Sequence, residues 1–343
     1  MTTTTRSPYA SPVDTDRYGS YRVPQRPDDP RPLYRFTGRL TRDGSSGFPA
    51  VPGRYHLYAG WFCPWAQRVV LELEVNGLAA SPGGEGVISV SYVDGARDGR
   101  GWAFREANGP DPVNGFTLLR DAYEHTEPGF DGHVSVPTLW DTETMRIVSN
   151  DYRTLGIDLA TEFPGFRHPG VDTYPVGHRA EIEELDRWVG PAVNQGVGRA
   201  QGTGPVADQA RSALQAAFAR LDTRLVDGGF LVGRGLTEAD IRLWVTLARY
   251  DVQANQQAGG GEGRLGPSLS AYPHLARYAA YLAELPAFRA STRWSAFSAP
   301  GARPSFLPDV PADSPAGPIA DPAADPAADP AAHHTAHRTG GRR

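Results

Sequence analysis

The stretch "RYHLYAGWFCPWAQRVVLELEVNGL" at residues 54–78 restricts the fold more than any other. Residues 54–60 form a short aromatic run beside glycine, a pattern that suits a strand. A helix follows at once: Ala66, Val69, Val70, Leu73 and Val75 suggest one apolar face, and Gly77 marks its end. Pro64 fits the first helical turn, where its missing N–H has no helical partner anyway. Between strand and helix lies Cys63, the single cysteine among 343 residues.

A thiol at a helix N-terminus meets free N–H groups and the positive end of the helix dipole. Both favour the thiolate, and such placement lowers a cysteine pKa from ~8.5 into the ~3.5–7.5 range. Trp61, Phe62 and Trp65 would give the site an apolar wall for an aromatic ligand. A lone cysteine is by default a small buried hydrophobe. At a strand–Cys–Pro–helix junction, that use would waste a packing residue on an exposed turn, so the pattern favours a nucleophile. The site reads Cys-Pro-Trp-Ala, with Ala66 where a dithiol oxidoreductase carries its second sulfur. The expected chemistry is therefore monothiol, with an external small thiol releasing any mixed disulfide.

Downstream, residues 86–94 read as a second strand. Residues 134–140 and 146–148 read as two more around an acidic turn, and 149–159 as a helix. The "SVP" at residues 135–137 allows a cis bond before Pro137, which would aim the Val136 backbone at a thiol ligand. This order of elements matches a thioredoxin-like α/β domain over residues 35–165. From about Tyr174 the pattern is helical: Leu214, Phe218, Leu221 and Leu225 share one helix face that stops at Gly228–Gly229. Thr237 and Asp240 spell a capping box, with Leu236 and Ile241 at the staple positions. Shorter helical segments follow around residues 272–285 and 286–297. Residues 166–300 thus read as a second, all-helical domain. Residues 1–34 lack periodicity and read as disordered or extended. Residues 301–343 read as a disordered Ala/Pro/Asp-rich tail, with a proline-bearing four-residue repeat at 320–332.

Composition narrows the function classes. A net charge of -5 and a pI near 6.0 leave no basic footprint for nucleic acid. One cysteine excludes an internal disulfide and a cysteine-only metal site. His56 and His133 are isolated, and "HHTAHR" near the end reads as a solvated tail, so no metal is expected. The N-terminus lacks the apolar core of a signal peptide, and no apolar run reaches the ~18 residues of a membrane span. The expectation is a cytoplasmic protein without membrane contact. There is no phosphate-loop or dinucleotide fingerprint, and "AGGGEG" at 258–263 follows a helix and reads as a flexible loop. The chain has no lysine and is rich in Ala, Gly and Pro, as in a GC-rich bacterial genome.

Four stretches in order resemble the Xi class of the glutathione transferase superfamily, the glutathionyl-hydroquinone reductases, over roughly residues 35–298. "RYHLYAGWFCPWAQR" is similar to the class's Cys-Pro-Trp-Ala-His-Arg site, with Gln67 in place of His. "GWAF" at 101–104, "VSVPTLWDTETMRIVSN" at 134–150 and "FLVGRGLTEADIRLWVTLARYD" at 230–251 look like its Gly-Trp-x-Phe, Val-Pro-x-Leu-Trp-Asp and Leu-Thr-Glu-Ala-Asp segments. The resemblance implies that Cys63 attacks a thiol-conjugated hydroquinone and is released by a second thiol. It implies a thiol site of Phe62, Pro64, Trp65, Trp102, His133, Val136, Pro137, Asp151 and Tyr152. Trp102 would stack on the ligand, Val136 would pair its backbone with the ligand's cysteine, and Asp151 would hold a γ-glutamyl group. Gly198, Arg249, Tyr250 and Trp294 would border the acceptor pocket. A homodimer is also implied.

The chain departs from that pattern. Tyr152 stands where the class has Ser, His133 where it has Arg, and Gly198 where it has a Tyr that contacts hydroquinone. These changes spare the thiolate and alter both pockets. The cosubstrate is therefore glutathione or mycothiol, the latter a thiol without a γ-glutamyl group. Two further readings stand beside the reductase: a catalytically weak or inactive ligand-binding protein of the same fold, and a transferase that conjugates or dehalogenates aromatics.

Overall fold

A computed structural model describes residues 7–24, 28–80, 86–256 and 264–307. Residues 7–24 form an extended strap with one helical turn, α1 (Thr15–Tyr18). The strap is tied down rather than disordered. Ala10 N–H donates to the Phe104 carbonyl at 3.0 Å, Asp14 N–H donates to Asp98 at 3.0 Å, and Arg100 reaches Ser11 Oγ at 2.7 Å. Gly99 lets it pass: a Cβ there would lie 2.0 Å from the Tyr18 carbonyl oxygen. These anchors are long-range polar contacts, which leave no periodicity in the sequence.

Strand β1 (Tyr55–Ala59) is buried along its whole length and forms the centre of a four-stranded sheet. β2 (Ile88–Tyr92) pairs with it in parallel, Tyr55 opposite Ile88. β3 (Thr138–Asp141) pairs on the other side, antiparallel, and β4 (Arg146–Ser149) closes the order β2-β1-β3-β4. Helix α2 (Pro64–Asn76) connects β1 to β2. Gly77 ends it in the left-handed region (φ 70°), where a Cβ would also strike the His168 ring. Helix α3 (Arg120–Thr126), which no periodicity announced, is short and buries only Ala122 and Tyr123. Helix α4 (Tyr152–Glu162) starts three residues later than expected, because Ser149 stays in β4 opposite Leu139 and Asp151 caps the helix.

The rest is helical: α5 (Arg179–Val189), α6 (Gly196–Ala200), α7 (Pro205–Arg224), α8 (Glu238–Arg249), α9 (Pro273–Glu284) and α10 (Pro286–Ser291). The Thr237–Asp240 capping box forms as read, and every residue of α8 is buried. Two apolar cores result. One is built on the sheet and the other on α5 to α9. Helix α2 belongs to both: Ala66, Val69, Val70 and Leu73 face the sheet core, whereas Leu71 enters the helical core. It packs against α4, α8 and α10, which places its N-terminus where the cores meet. Residues 301–307, expected to be part of a disordered tail, are also anchored. Phe306 packs on Trp244 and Ser305 bonds Asp251. The repeat at 320–332, "HHTAHR" and "AGGGEG" lie outside the described residues.

Candidate active site

Cys63 is the N-cap of α2, in extended conformation (φ −89°, ψ 118°), with Pro64 at the first helical position. The Gln67 N–H donates to the Cys63 carbonyl at 3.0 Å and opens the helix. The half-buried thiol points at the loop before β3 and donates to the Val136 carbonyl at 3.5 Å. The Val136–Pro137 bond is cis, so the expected backbone shelf stands beside the thiol. β3 begins at Thr138 and not at Val134 as expected, and the Val136 carbonyl before it faces Cys63.

The electrostatics of the thiol differ from expectation. Burial pushes the Cys63 pKa up, and this outweighs the downward pull of the Ala66 and Trp65 N–H groups and of the Arg249 charge. The helix terminus acts as expected but is outweighed by the desolvation of the sulfur. Arg249, at the end of α8, is the counter-charge. It is buried and donates to the Trp61 carbonyl at 3.2 Å, to the Val245 carbonyl at 3.0 Å and to the Gln67 side chain. Its Nε has no partner, and no carboxylate pairs with it among the described residues. Burial draws its own pKa down to about 10, with Cys63 opposing. Gln67 in turn donates to the Ser291 carbonyl (3.1 Å) and Thr292 Oγ1 (2.8 Å), latching α2 to α10. Replacing Arg249 with methionine is expected to move the pH midpoint of Cys63 alkylation by iodoacetamide upward, by about one unit. An unmoved midpoint in a folded variant would refute this electrostatic role.

Around the thiol, Trp65 stacks on Tyr152 (4.6 Å between centroids), and Tyr34 meets Tyr152 edge-on at 6.0 Å. Tyr34 escaped the sequence reading. Burial, then the charges of Tyr152 and Cys63, push its hydroxyl up to about 12, so it stays a neutral phenol. Asp151 caps α4 by accepting the Arg153 N–H at 3.1 Å, and it also pairs with Arg153 Nε at 2.9 Å. On the other flank, Trp102 is covered by Phe62 (4.3 Å) and by the Arg97 guanidinium (4.0 Å), which also lies 4.1 Å from Tyr21. Trp102 keeps 9 % of its surface accessible, so the ring expected to stack on a ligand is already covered. His133 Nδ1 meets the Tyr21 hydroxyl at 3.1 Å. Burial and then the Arg97 charge push its pKa down to about 4, which leaves it neutral. The strap therefore completes this flank of the site, a role no local pattern announces.

A family model described as "Glutathione S-transferase, C-terminal domain" matches residues 204–280. The glutathionyl-hydroquinone reductase PcpF of Sphingobium chlorophenolicum is 37 % identical over 211 residues, covering 60 % of this chain and 65 % of its own length. A glutathione S-transferase Xi structure from Phanerochaete chrysosporium superposes with a TM-score of 0.68 at 30 % identity, over 78 % of this chain and 90 % of that one. The glutathione-bound structure of YqjG, a glutathione transferase homolog from Escherichia coli K-12, gives 0.67 at 30 % identity, over 76 % and 85 %. This chain belongs to the Xi class of the glutathione S-transferase superfamily. Its α/β sheet domain and helical domain are the thioredoxin-like and C-terminal halves of that fold.

The acceptor residues carried over to this Xi-class chain sit in different settings among the described residues. Gly198 lies exposed on α6, and a Cβ there would meet nothing within 4 Å. Tyr250 is a core residue: fully buried, edge-on to Phe218 at 4.9 Å, its hydroxyl bonded to the Pro267 carbonyl at 3.1 Å. It opens the wide π-type turn Tyr250–Ala254, which follows α8 into the helical core. Arg249 serves the thiol from beneath, and Trp294 packs on Trp244 (6.3 Å) and Phe297 (5.7 Å). His56 is a core residue too, held between Ser89 Oγ (2.6 Å) and Ser91 Oγ (2.8 Å). No group of side chains suited to a metal occurs among the described residues, and no described helix is long and apolar enough to cross a membrane.

Proposed function

We propose that this Xi-class chain is a thiol-dependent reductase that cleaves the carbon–sulfur bond of glutathionyl hydroquinones. The Cys63 thiolate attacks the sulfur of the conjugate. The bond from that sulfur to the ring carbon breaks, the carbon keeps the electron pair and takes a proton, and the hydroquinone leaves. Cys63 is left in a mixed disulfide. A second glutathione thiolate attacks that disulfide, frees Cys63 and departs as glutathione disulfide. The ring is reduced by one electron pair, which the two glutathione sulfurs supply.

The observation that carries this reading is Cys63 at the α2 N-cap, 3.5 Å from the Val136 carbonyl, with Ala66 one turn on. Such a site can form one mixed disulfide and cannot close it internally. The relative PcpF, a glutathionyl-hydroquinone reductase, supports the substrate class, and the glutathione bound to YqjG supports the thiol. One observation favours mycothiol as the competing thiol: Asp151, the candidate partner for a γ-glutamyl amine, is already paired with Arg153.

The test is turnover of a glutathionyl-menadione conjugate with glutathione or mycothiol as the second thiol. Hydroquinone release with one glutathione disulfide per turnover is expected, with glutathione at least about tenfold faster. Faster turnover with mycothiol would reassign the thiol. Conjugate binding without release by either thiol would make the protein a carrier instead of an enzyme.

A further inference from the structure

A cavity of about 360 Å³ opens beside the turn that leads into Cys63, lined among others by Trp61, Phe62, Val93, Asn108, Arg293 and Ala296. Its volume suits one substituted aromatic ring. Its walls are rigid. The Trp61 ring is stacked on Tyr92 at 3.9 Å and 11°, and Phe62 is held against Trp102 at 4.3 Å. Phe62 immediately precedes Cys63, so the cavity borders the residues that lead into the nucleophile.

The cavity also carries a charge. Arg293 stands at its rim, 5.5 Å from the Trp61 ring, and donates to the Asn108 side-chain oxygen at 2.9 Å. Both partners are neutral, and no carboxylate pairs with Arg293 among the described residues. Asp94 lines the same cavity, but its charge is engaged by Arg105 at 3.2 Å. The chain at Arg293 is also anchored. Its neighbour Thr292 accepts from Gln67 Nε2 at 2.8 Å and from Trp244 Nε1 at 3.3 Å, which ties this turn to the first turn of α2. An aromatic slot with one available cation at its rim selects for a ring that bears an anion.

We propose that this cavity, and not the group formed by Gly198, Tyr250 and Trp294, is the acceptor pocket, and that Arg293 makes it selective for aromatic conjugates carrying an anionic ring substituent such as a carboxylate. This rests on the reductase reading for its choice of substrate. Arg293 is a specificity-determining residue here, since it meets the ring substituent and not the reacting sulfur.

The experiment compares two glutathionyl conjugates that differ by one charge: that of 2,5-dihydroxybenzoate and that of its methyl ester. The readout is the ratio of kcat/KM for acid over ester. In the wild-type chain a ratio of about tenfold is expected, the size of one charge-assisted hydrogen bond. Arg293→Ala should bring the ratio to about one, Arg293→Glu should push it below one, and Arg293→Lys should restore part of the preference. A wild-type ratio near one, or a ratio that Arg293→Ala leaves unchanged, overturns the proposal. If the wild type turns over neither conjugate, the reductase reading fails and binding decides this one. Free 2,5-dihydroxybenzoate, titrated by indole fluorescence, should then bind wild type about tenfold more tightly than Arg293→Ala, and equal affinity overturns the pocket.

Discussion

Cys63→Ser protein will release no measurable hydroquinone from a glutathionyl conjugate, a loss in kcat/KM of at least about 10³-fold, while its fold remains intact. Serine is nearly isosteric, and it is a favoured N-cap residue, so the start of α2 should be as stable as before or more so. Unfolding therefore cannot explain the loss. A hydroxyl is far less acidic than a thiol and a poor nucleophile toward sulfur, and desolvation at this position penalises its ionisation further. No other group can substitute: Cys63 is the only cysteine, and the neighbouring Tyr34 phenol is held neutral with its pKa pushed up to about 12. The wild-type chain should give the complementary result. Given conjugate but no second thiol, it should stop at one glutathionyl adduct per chain, because Ala66 offers no resolving sulfur. Because burial raises the Cys63 pKa, the rate of adduct formation should climb as pH rises through and above the ordinary thiol value of ~8.5. Activity retained within tenfold in Cys63→Ser would remove Cys63 from the mechanism.

The parts of this site that were legible in the sequence are those fixed by near neighbours. Pro64 after Cys63 and Gly77 at the far end set the limits of α2, and Thr237 with Asp240 set the start of α8, because caps and proline act within one turn. The same local logic suggested the cis Val136–Pro137 shelf. What stayed hidden depends on which surfaces meet. Cys63 was expected to be acidified by its helix, but its partial burial makes desolvation win. Arg249 and Tyr250 are adjacent in sequence and were placed together in the acceptor pocket. The wide turn after α8 instead sends Tyr250 to the Phe218 side of the helical core, whereas Arg249 stays beneath the Cys63 loop. The strap's contribution was equally hidden: Tyr21, Arg97 and Trp102 stack only once Gly99 lets residues 7–24 cross the sheet domain.

Glu72→Gln should flatten the fall in stability that the wild-type chain shows between about pH 4 and 8, and Glu238→Gln should destabilise it at every pH in that range. Both carboxyls are fully buried where α2 meets α8. Glu238 Oε2 accepts from Arg68 (3.0 Å) and from Arg242 Nε, and its Oε1 has no partner, lodged against Gly156, where even a Cβ would lie 2.4 Å away. Arg242 also reaches Glu183 (3.0 Å) and Asp186 (3.5 Å) from α5. Glu72 receives Asn76 Nδ2 at 2.7 Å and the Thr173 hydroxyl, and its Oε2 is unpartnered. Burial first, then the Glu238 charge, push the Glu72 pKa up to about 8. In the unfolded chain a glutamate titrates near ~4.3, so between that value and about 8 the folded state holds a proton that the unfolded state has lost. Stability is therefore greatest below the unfolded pKa and is lost as pH rises toward the folded one, at up to about 1.4 kcal/mol per pH unit. Glutamine copies the protonated carboxyl and cannot ionise, so the variant should keep a few kcal/mol that the wild type loses by about pH 8. Glu238→Gln instead strips a counter-ion from two buried guanidinium groups and should cost about 3–5 kcal/mol. Thermal midpoints across pH check both, and parallel pH curves for wild type and Glu72→Gln would refute the stored proton. The helices that hold this proton also carry Cys63 and Arg249. Raising the pH should thus ionise the thiol while loosening the scaffold that positions it, and Glu72→Gln should extend activity to higher pH by separating the two.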